Sequence, residues 1–161
     1  MDKKTLVLAI GNKLLSDEGV GLHVLAVLQQ QYPSADKNIS WLDGGTLSFT
    51  LAGEVSDADQ LIVIDAAQLQ AQSGAVRCMV NAEMDEFLGN CKRSVHEIGL
   101  LDLLDISRLT DSLPQQRALI GIQPQRIDWG DDLSEPVAAA VPLAVRQVSE
   151  LLDVWTKNDG V

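Results

Sequence analysis

The sequence predicts an α/β fold: a three-layer sandwich in which a mostly parallel, twisted sheet of about five strands lies between helices on both faces. Short runs of branched aliphatic residues alternate along the chain with longer segments whose apolar residues recur at helical spacing. The run at 61–64 is apolar without alternation, which is typical of a parallel strand covered on both faces. These two observations favour parallel strands joined by crossover helices.

The first half of the chain contains three predicted strands and two predicted helices. Gly11-Asn12 ends the first strand, because this dipeptide tolerates positive φ. Ser16 or Asp17 can then serve as the N-cap of the following helix. The predicted elements are strand 5–10, helix 19–31, strand 39–42, helix 47–54 and strand 60–65.

The second half of the chain contains one predicted antiparallel strand. The link at 66–74 is short and polar, which favours antiparallel pairing of the strand that follows it. Ser94 and Glu97 match a capping box at the start of a helix. Pro136 suits the first turn of the last helix, which Pro142 either kinks or delays. The predicted elements are strand 75–80, a helical turn near 83–88, a helix from 94, strand 118–122, a helix from 136 to about 155 and a frayed tail at 157–161.

Composition sets limits on the class of protein. The 161 residues predict a single domain, 1–161, and the net charge of −11 argues against binding to nucleic acid, whose phosphates need Lys and Arg. Cys78 and Cys91 lack metal or redox spacing, so we expect reduced thiols in a cytoplasmic protein. No signal peptide or membrane span is predicted, and no heptad or sticky edge favours an oligomer, so a monomer is expected.

Three side chains that can carry chemistry are predicted to converge. Glu18 follows the first strand, Asp65 ends the third strand, and His96 opens a helix. The carboxyl ends of neighbouring parallel strands meet at one edge of a sheet, where open α/β folds hold their ligands. Two carboxylates and an imidazole can bind a divalent transition metal with open positions, or they can form an acid–base set without metal.

Each candidate also has a purely structural interpretation. Glu18 can favour the positive end of a helix dipole, an effect of about 0.3–1 kcal/mol, and Asp65 can cap the turn after its strand. His96 can be a packing residue. Asp17 is best explained as a helix cap, and Asp43 as part of a turn.

Several nucleotide-binding and hydrolase motifs are absent from the sequence. The loop at 11–16 lacks the second glycine of a dinucleotide-binding fingerprint. No Gly-Lys-Ser/Thr phosphate loop, Gly-x-Ser-x-Gly elbow or His-Glu-x-x-His pair occurs. Nucleotide binding and serine hydrolase chemistry are therefore poor interpretations.

Five blocks along the chain carry a family resemblance. They are GNKLLSDEGVG at 11–21, LDGGT at 42–46, VIDA at 63–66, HEIGLLDLL at 96–104 and GIQP at 121–124. In this order and spacing they resemble the hydrogenase maturation endopeptidases, which trim the C-terminal extension from the large-subunit precursor of nickel–iron hydrogenases. The resemblance covers nearly the whole chain and implies a twisted mixed sheet between helices.

The resemblance also implies roles for individual residues and a partner. Glu18, Asp65 and His96 are the implied catalytic and metal-contacting residues. The implied metal is nickel that the precursor large subunit already carries, so that cleavage checks its loading, although a surrogate divalent metal can occupy such a site. The implied activity is that of an aspartyl-type or metal-dependent peptidase; the alternative is a non-enzymatic nickel-binding or precursor-docking maturation chaperone. Weaker candidates for substrate handling are Asp17, Asp43 and Gly44.

Overall fold

The described part of the chain forms one five-stranded sheet between two layers of helices. It comprises residues 3–32, 38–45, 51–90 and 95–159 of a computed structural model, with the backbone alone described at 95–98 and 157–159. The strands are β1 (Thr5–Ala9), β2 (Ile39–Asp43), β3 (Gln60–Ala66), β4 (Val76–Val80) and β5 (Gln116–Ile122).

The strands lie in the order β2-β1-β3-β5-β4. β1 pairs in parallel with β2 and with β3, and β3 pairs in parallel with β5, so these four strands point the same way. β4 pairs antiparallel with β5, as the short polar link before it predicts. The predicted fold class, a mostly parallel sheet with one antiparallel strand and helices on both faces, is confirmed.

Helices cover both faces of this sheet. They are α1 (Val20–Gln31), α2 (Ala52–Ser56), α3 (Ala82–Asn90), α4 (Val95–Leu109) and α5 (Glu135–Asp159), with a single 3₁₀ turn at Ser16–Gly19 before α1. Ile62 and Ile64 of β3 face the layer of α1 and α5, whereas Leu61 and Val63 face the layer of α2, α3 and α4. None of the described helices has both the length and the hydrophobicity that crossing a membrane requires.

Two helices on the second layer differ from their predicted bounds. α2 covers Ala52–Ser56 rather than 47–54, and residues 46–50 lie outside the described part of the chain. α3 has nine residues where the sequence predicts a single turn, because Met84 and Leu88 are both buried in the core. The predicted capping box cannot be compared, since Ser94 and the side chain at 97 lie outside the described residues.

α5 is one helix that passes through Pro142. It ends at Asp159 rather than near 155, so the backbone at 157–159 is helical where a frayed tail is predicted; residues 160 and 161 lie outside the described part. A proline nitrogen cannot donate to the carbonyl four residues earlier, that of Ala138. Both Ala138 and Pro142 are exposed, so water can replace the missing donor.

Candidate active site

The chain leaves β1 and β3 in opposite directions across the sheet. From β1 it returns through α1 to β2 on one side, and from β3 it passes to β4 and then to β5 on the other. Connections that diverge from two adjacent parallel strands leave a crevice at their carboxyl ends, where open α/β sheets bind ligands. The 3₁₀ turn with Glu18 follows β1 at this crevice, and Asp65 lies at the end of β3.

Asp65 is a buried carboxylate at the carboxyl end of β3. Only 4% of the residue is exposed, and its Oδ1 atom is buried. Asp65 follows Leu61 and Val63 in the strand alternation, so it belongs to the sheet face that α2, α3 and α4 cover. Burial of a carboxylate is unfavourable without compensating partners. Its position therefore indicates a polar or ionic environment in the crevice.

Glu18 is half-buried, and close backbone packing holds its 3₁₀ turn against the sheet. Gly11 has φ +145°, and a Cβ atom there would lie 2.1 Å from the carbonyl oxygen of Glu18. A Cβ atom at Gly21 would lie 2.5 Å from the carbonyl oxygen of Ile64. The turn also contacts β3 directly. Glu18 is thus seated beside the strand that carries Asp65.

Asp17 adjoins Glu18 but is fully buried and binds a distant loop. Its Oδ2 accepts hydrogen bonds from the N–H groups of Gln125 (2.9 Å) and Arg126 (2.8 Å) and from the hydroxyl of Ser134 (2.7 Å). Its Oδ1 accepts from the N–H of Ser134 (2.7 Å). Burial by itself raises the pKa of Asp17, but the hydrogen bonds from Ser134, Arg126 and Gln125 outweigh it and hold the pKa below its usual value.

The predicted N-cap role of Ser16 or Asp17 is wrong. α1 begins at Val20 with Gly19 in the N-cap position, and no side chain caps it. The Ser16 hydroxyl instead donates to the carbonyl of Asp128 (3.0 Å), 112 residues further along the chain. Both side chains that the local sequence pattern assigns to helix capping thus form hydrogen bonds with that distant loop instead.

The turn of Asp43 and Gly44 lies at the same edge of the sheet. Asp43 is exposed, and its Oδ1 accepts from the N–H of Gly45 (2.9 Å), as its turn interpretation predicts. The N–H of Gly44 donates to the carbonyl of Ala9 (2.8 Å), and the carbonyl of Gly45 accepts from the N–H of Gly11 (2.9 Å). The turn is thereby joined to the segment that leads from β1 to the 3₁₀ turn.

Position 96 lies in the first turn of α4, and its side chain is outside the described residues. The last turns of α4 lie near the amino end of β3, since the Ser107 and Ser56 hydroxyl oxygens are 3.5 Å apart. α4 has 15 residues and spans roughly 22 Å, so its first turn lies toward the carboxyl edge. Position 96 also precedes the buried Leu100 and Leu104 by four and eight residues, the spacing of one helix face.

Two of the three predicted metal ligands have side chains that the structure describes. Glu18 and Asp65 lie at one crevice, whereas the side chain of His96 is outside the described set. Within that set, no group of three His, Cys, Asp or Glu residues that could hold a metal ion occurs. A complete ligand set at the crevice therefore requires a further donor, from position 96 or from a substrate.

A cavity of about 380 Å³ opens beside the segment that follows β3. Leu69 and Phe87 give it apolar walls. Glu83 and Glu86 are acidic and Arg77 is basic, so its lining carries charges of both signs. The lining residues are Gln68, Leu69, Gln70, Arg77, Glu83, Glu86, Phe87 and Asn90.

Gln123 is a buried residue that positions this segment, a role that its place at the end of a strand does not predict. Its Oε1 accepts from the N–H of Leu69 (2.7 Å), and its Nε2 donates to Oε1 of Gln68 (3.0 Å). The GIQP block at 121–124 is the signal in the sequence that points to it.

Comparisons with known proteins identify relatives of this fold and sequence. The structure is similar to that of the hydrogenase maturating endopeptidase HybD from E. coli, with a TM-score of 0.87 and 32% identity, covering 93% of this chain and 92% of that one. The hydrogenase expression/formation protein HupD of Rhizobium leguminosarum bv. viciae is 34% identical over 153 residues, 94% of this chain and 75% of that protein. The Hydrogenase 2 maturation protease of Escherichia coli K12 is 32% identical over 145 residues, 90% of this chain and 88% of that protein.

Fold and site together define an α/β protein whose candidate site lies at the carboxyl ends of two paired parallel strands, β1 and β3, from which the chain connections diverge. The family model of the hydrogenase maturation proteases (HycI) matches residues 22–151. The chain belongs to this family of endopeptidases, and the predicted family resemblance is confirmed. It is therefore an enzyme, a hydrolase of peptide bonds.

Proposed function

We propose that this chain removes the C-terminal extension from the large-subunit precursor of a nickel–iron hydrogenase after nickel insertion. Glu18, Asp65 and His96 are the proposed contacts to the metal, which the precursor brings as its cargo. The observation that carries the proposal is the contact between the turn of Glu18 and β3, the strand that bears the buried Asp65 at its carboxyl end. The similar proteins named as hydrogenase maturation proteases supply the reaction class.

The donor chemistry of the three residues suits a metal that is shared with a substrate. Carboxylate oxygens and an imidazole nitrogen bind divalent first-row metals, and three donors leave coordination positions open. Glu18 is half-buried and Asp65 is buried, so Glu18 is the more accessible of the two acids to a substrate. We expect nickel held by the precursor to complete its coordination there, and the chain alone to bind nickel weakly or not at all.

Hydrolysis requires water to attack the peptide carbonyl carbon, the C–N bond to break and a proton to reach the leaving amine. A divalent metal beside the scissile bond can polarise the carbonyl or lower the pKa of a water molecule. The carboxylate of Glu18 or Asp65 can accept the proton of the attacking water and pass it to the amine. Two mechanisms therefore fit these residues. In one, the metal assists the attack of water; in the other, the metal only positions the peptide and a carboxylate assists the attack.

Near-isosteric substitutions test the three residues. Glu18→Gln, Asp65→Asn and His96→Gln each remove a charge or a ligand with little change of shape, and we expect each to slow precursor processing by at least about 100-fold. Loss of a contact that only positions the precursor raises KM, whereas loss of a base, or of a metal contact that activates the reaction, lowers kcat, so the kinetics separate positioning from chemistry. The mass of the precursor is followed over time.

Glu54→Gln is the matched control for these variants. Glu54 is an exposed glutamate on α2, and its variant should process the precursor at the wild-type rate. Full activity in all three site variants would contradict the proposal.

A second experiment compares precursor with and without bound nickel. We expect the nickel-loaded precursor to be shortened and the nickel-free precursor to stay intact, with calorimetry showing weak or no nickel binding by the chain alone. Tight nickel binding by the purified chain would count against metal recognition through the substrate. A stable complex with the loaded precursor, without shortening, would identify a maturation chaperone instead.

A further inference from the structure

Three large apolar side chains are exposed on the segments beside the candidate site. Leu14, Ile127 and Trp129 are 59%, 55% and 80% exposed, and we call them the Trp129 patch. Grouped apolar side chains on a surface mark interaction sites, whereas single ones are ordinary. Tryptophan is among the residue types most enriched in the energetic centres of protein interfaces.

A backbone bridge brings two members of the Trp129 patch together. Leu15 pairs in parallel with Gly130; the N–H of Ser16 donates to the carbonyl of Gly130 (2.7 Å), and the N–H of Gly130 donates to the carbonyl of Leu14 (2.9 Å). This register places Leu14 opposite Trp129. The patch therefore joins two segments that are far apart in the sequence.

Asp17 holds the loop that carries Ile127 and Trp129. Its fully buried carboxylate accepts four hydrogen bonds from Gln125, Arg126 and Ser134, which flank the patch residues of that loop. The loop is thus fixed at its base while its apolar side chains face solvent. A surface ordered in advance loses less conformational entropy on binding, which favours a docking role.

Exposed acidic side chains outnumber basic ones on the segments that carry this patch. Asp128, Asp131 and Asp132 are exposed on the same loop, and Arg126 and Lys13 are the nearby basic residues. Complementary charge across an interface fixes its register and speeds encounter. The surface therefore fits a partner with an apolar centre and a rim of Lys and Arg.

We infer that the Trp129 patch docks the folded body of the precursor whose C-terminal extension enters the β1–β3 crevice, an inference that rests on the proposed function. The segment 14–18 carries Leu14 of the patch at one end and Glu18 of the site at the other. The extension and the body of the precursor are one polypeptide, and an extended residue spans about 3.3 Å. A peptide held at Glu18 consequently brings the body over the patch within a few residues.

Trp129→Ser tests the docking surface. Because the side chain is 80% exposed, the fold should be retained, which circular dichroism checks. We expect KM for the precursor to rise by at least about tenfold, with a much smaller change in kcat. Leu109→Ser is the matched control: Leu109 is 87% exposed at the far end of α4, and its variant should keep the wild-type KM. An unchanged KM in Trp129→Ser, or an equal rise in Leu109→Ser, would overturn the inference.

A binding experiment separates this inference from the proposed function. In the Glu18→Gln background, added precursor should protect the fluorescence of Trp129 from acrylamide, and Trp129→Phe identifies its share of the emission. Trp155 is buried and Trp41 is half-buried, so Trp129 dominates the accessible signal. Protection together with full processing by Glu18→Gln would refute the role proposed for Glu18 and keep the docking surface. Loss of processing without protection would refute the docking surface alone.

Discussion

Two adjacent acids in this chain have different environments. Asp17 has no exposed surface and accepts four hydrogen bonds from another part of the chain, whereas Glu18 is half-buried at the crevice between β1 and β3. Three backbone N–H groups and a hydroxyl converge on Asp17, and a neutral or apolar side chain would leave some of them without an acceptor. Asp17 is therefore a positioning residue, and Glu18 is the acid that can meet a substrate.

We expect Asp17→Asn to lower the free energy of unfolding by about 2–3 kcal/mol at neutral pH, because the amide NH₂ group faces N–H donors. The pKa of Asp17 is held below its usual value. Its stabilising contribution is therefore complete above the usual aspartate pKa of about 3.9 and is lost as the pH falls through the folded-state pKa. Below about pH 4, the wild-type chain should lose stability more steeply than the Asp17→Asn variant.

Urea unfolding at several pH values, followed by circular dichroism, measures both effects of this substitution. Asp57→Asn is the matched control, since Asp57 is exposed at the end of α2 and should shift the free energy of unfolding by less than about 0.5 kcal/mol. Equal unfolding midpoints for the wild-type chain and Asp17→Asn, at neutral pH and at pH 3, would contradict the role assigned to Asp17.

At the scale of elements, close backbone contact seats the start of α1 on the sheet. A Cβ atom at Gly21 would lie 2.5 Å from the carbonyl oxygen of Ile64 and 3.0 Å from that of Ile10. Both atoms belong to the backbone at the ends of neighbouring strands, so neither can move aside without disturbing the sheet. The absence of a side chain at Gly21 thus sets where the preceding 3₁₀ turn, and Glu18 within it, meets β3.

We expect Gly21→Ala to reduce both stability and precursor processing. The added methyl group displaces α1 from the strand ends, an overpacking effect of about 1–3 kcal/mol, and shifts Glu18 relative to Asp65. Gly53→Ala is the matched control, because its new Cβ would meet no atom from the rest of the fold within 4 Å, and helix propensity should stabilise α2 by up to about 1 kcal/mol. Thermal unfolding and the processing rate are compared; an unperturbed Gly21→Ala variant would show that the close contact is dispensable.

At the scale of the whole molecule, the strand order determines where the candidate site lies. Four parallel strands bring their carboxyl ends to one edge, and the divergence of the chain between β1 and β3 leaves that edge open beside Glu18 and Asp65. Because β4 runs antiparallel beside β5, the link from β3 to β4 lies at the same edge and adds the cavity lined by Leu69 and Phe87. Peptide binding, metal contact and partner docking can therefore share one end of the molecule.

Much of this architecture follows from short-range pattern. Uninterrupted apolar runs predict the buried parallel strands, the short polar link predicts the antiparallel β4, and Asp65 stands where its strand stops. The bounds of α3 are missed, since burial of Met84 and Leu88 overrides local preference, and α5 continues to Asp159, beyond its predicted end near 155. The assignment of Ser16 or Asp17 to helix capping is wrong because both side chains form hydrogen bonds with a loop that is distant in the sequence, and local pattern does not predict such contacts.

The sequence alone determined which segments are strands and helices, and which acids stand at strand ends, because hydrophobic period and turn residues act over a few positions. Only the tertiary structure decided that the loop carrying Trp129 lies against the turn carrying Glu18. The hydrogen bonds between Asp17 and Ser134 join residues that are 117 apart in the chain. The periodicity of the sequence cannot predict a contact over that distance, because the contact forms only when the sheet has brought the two segments to the same edge.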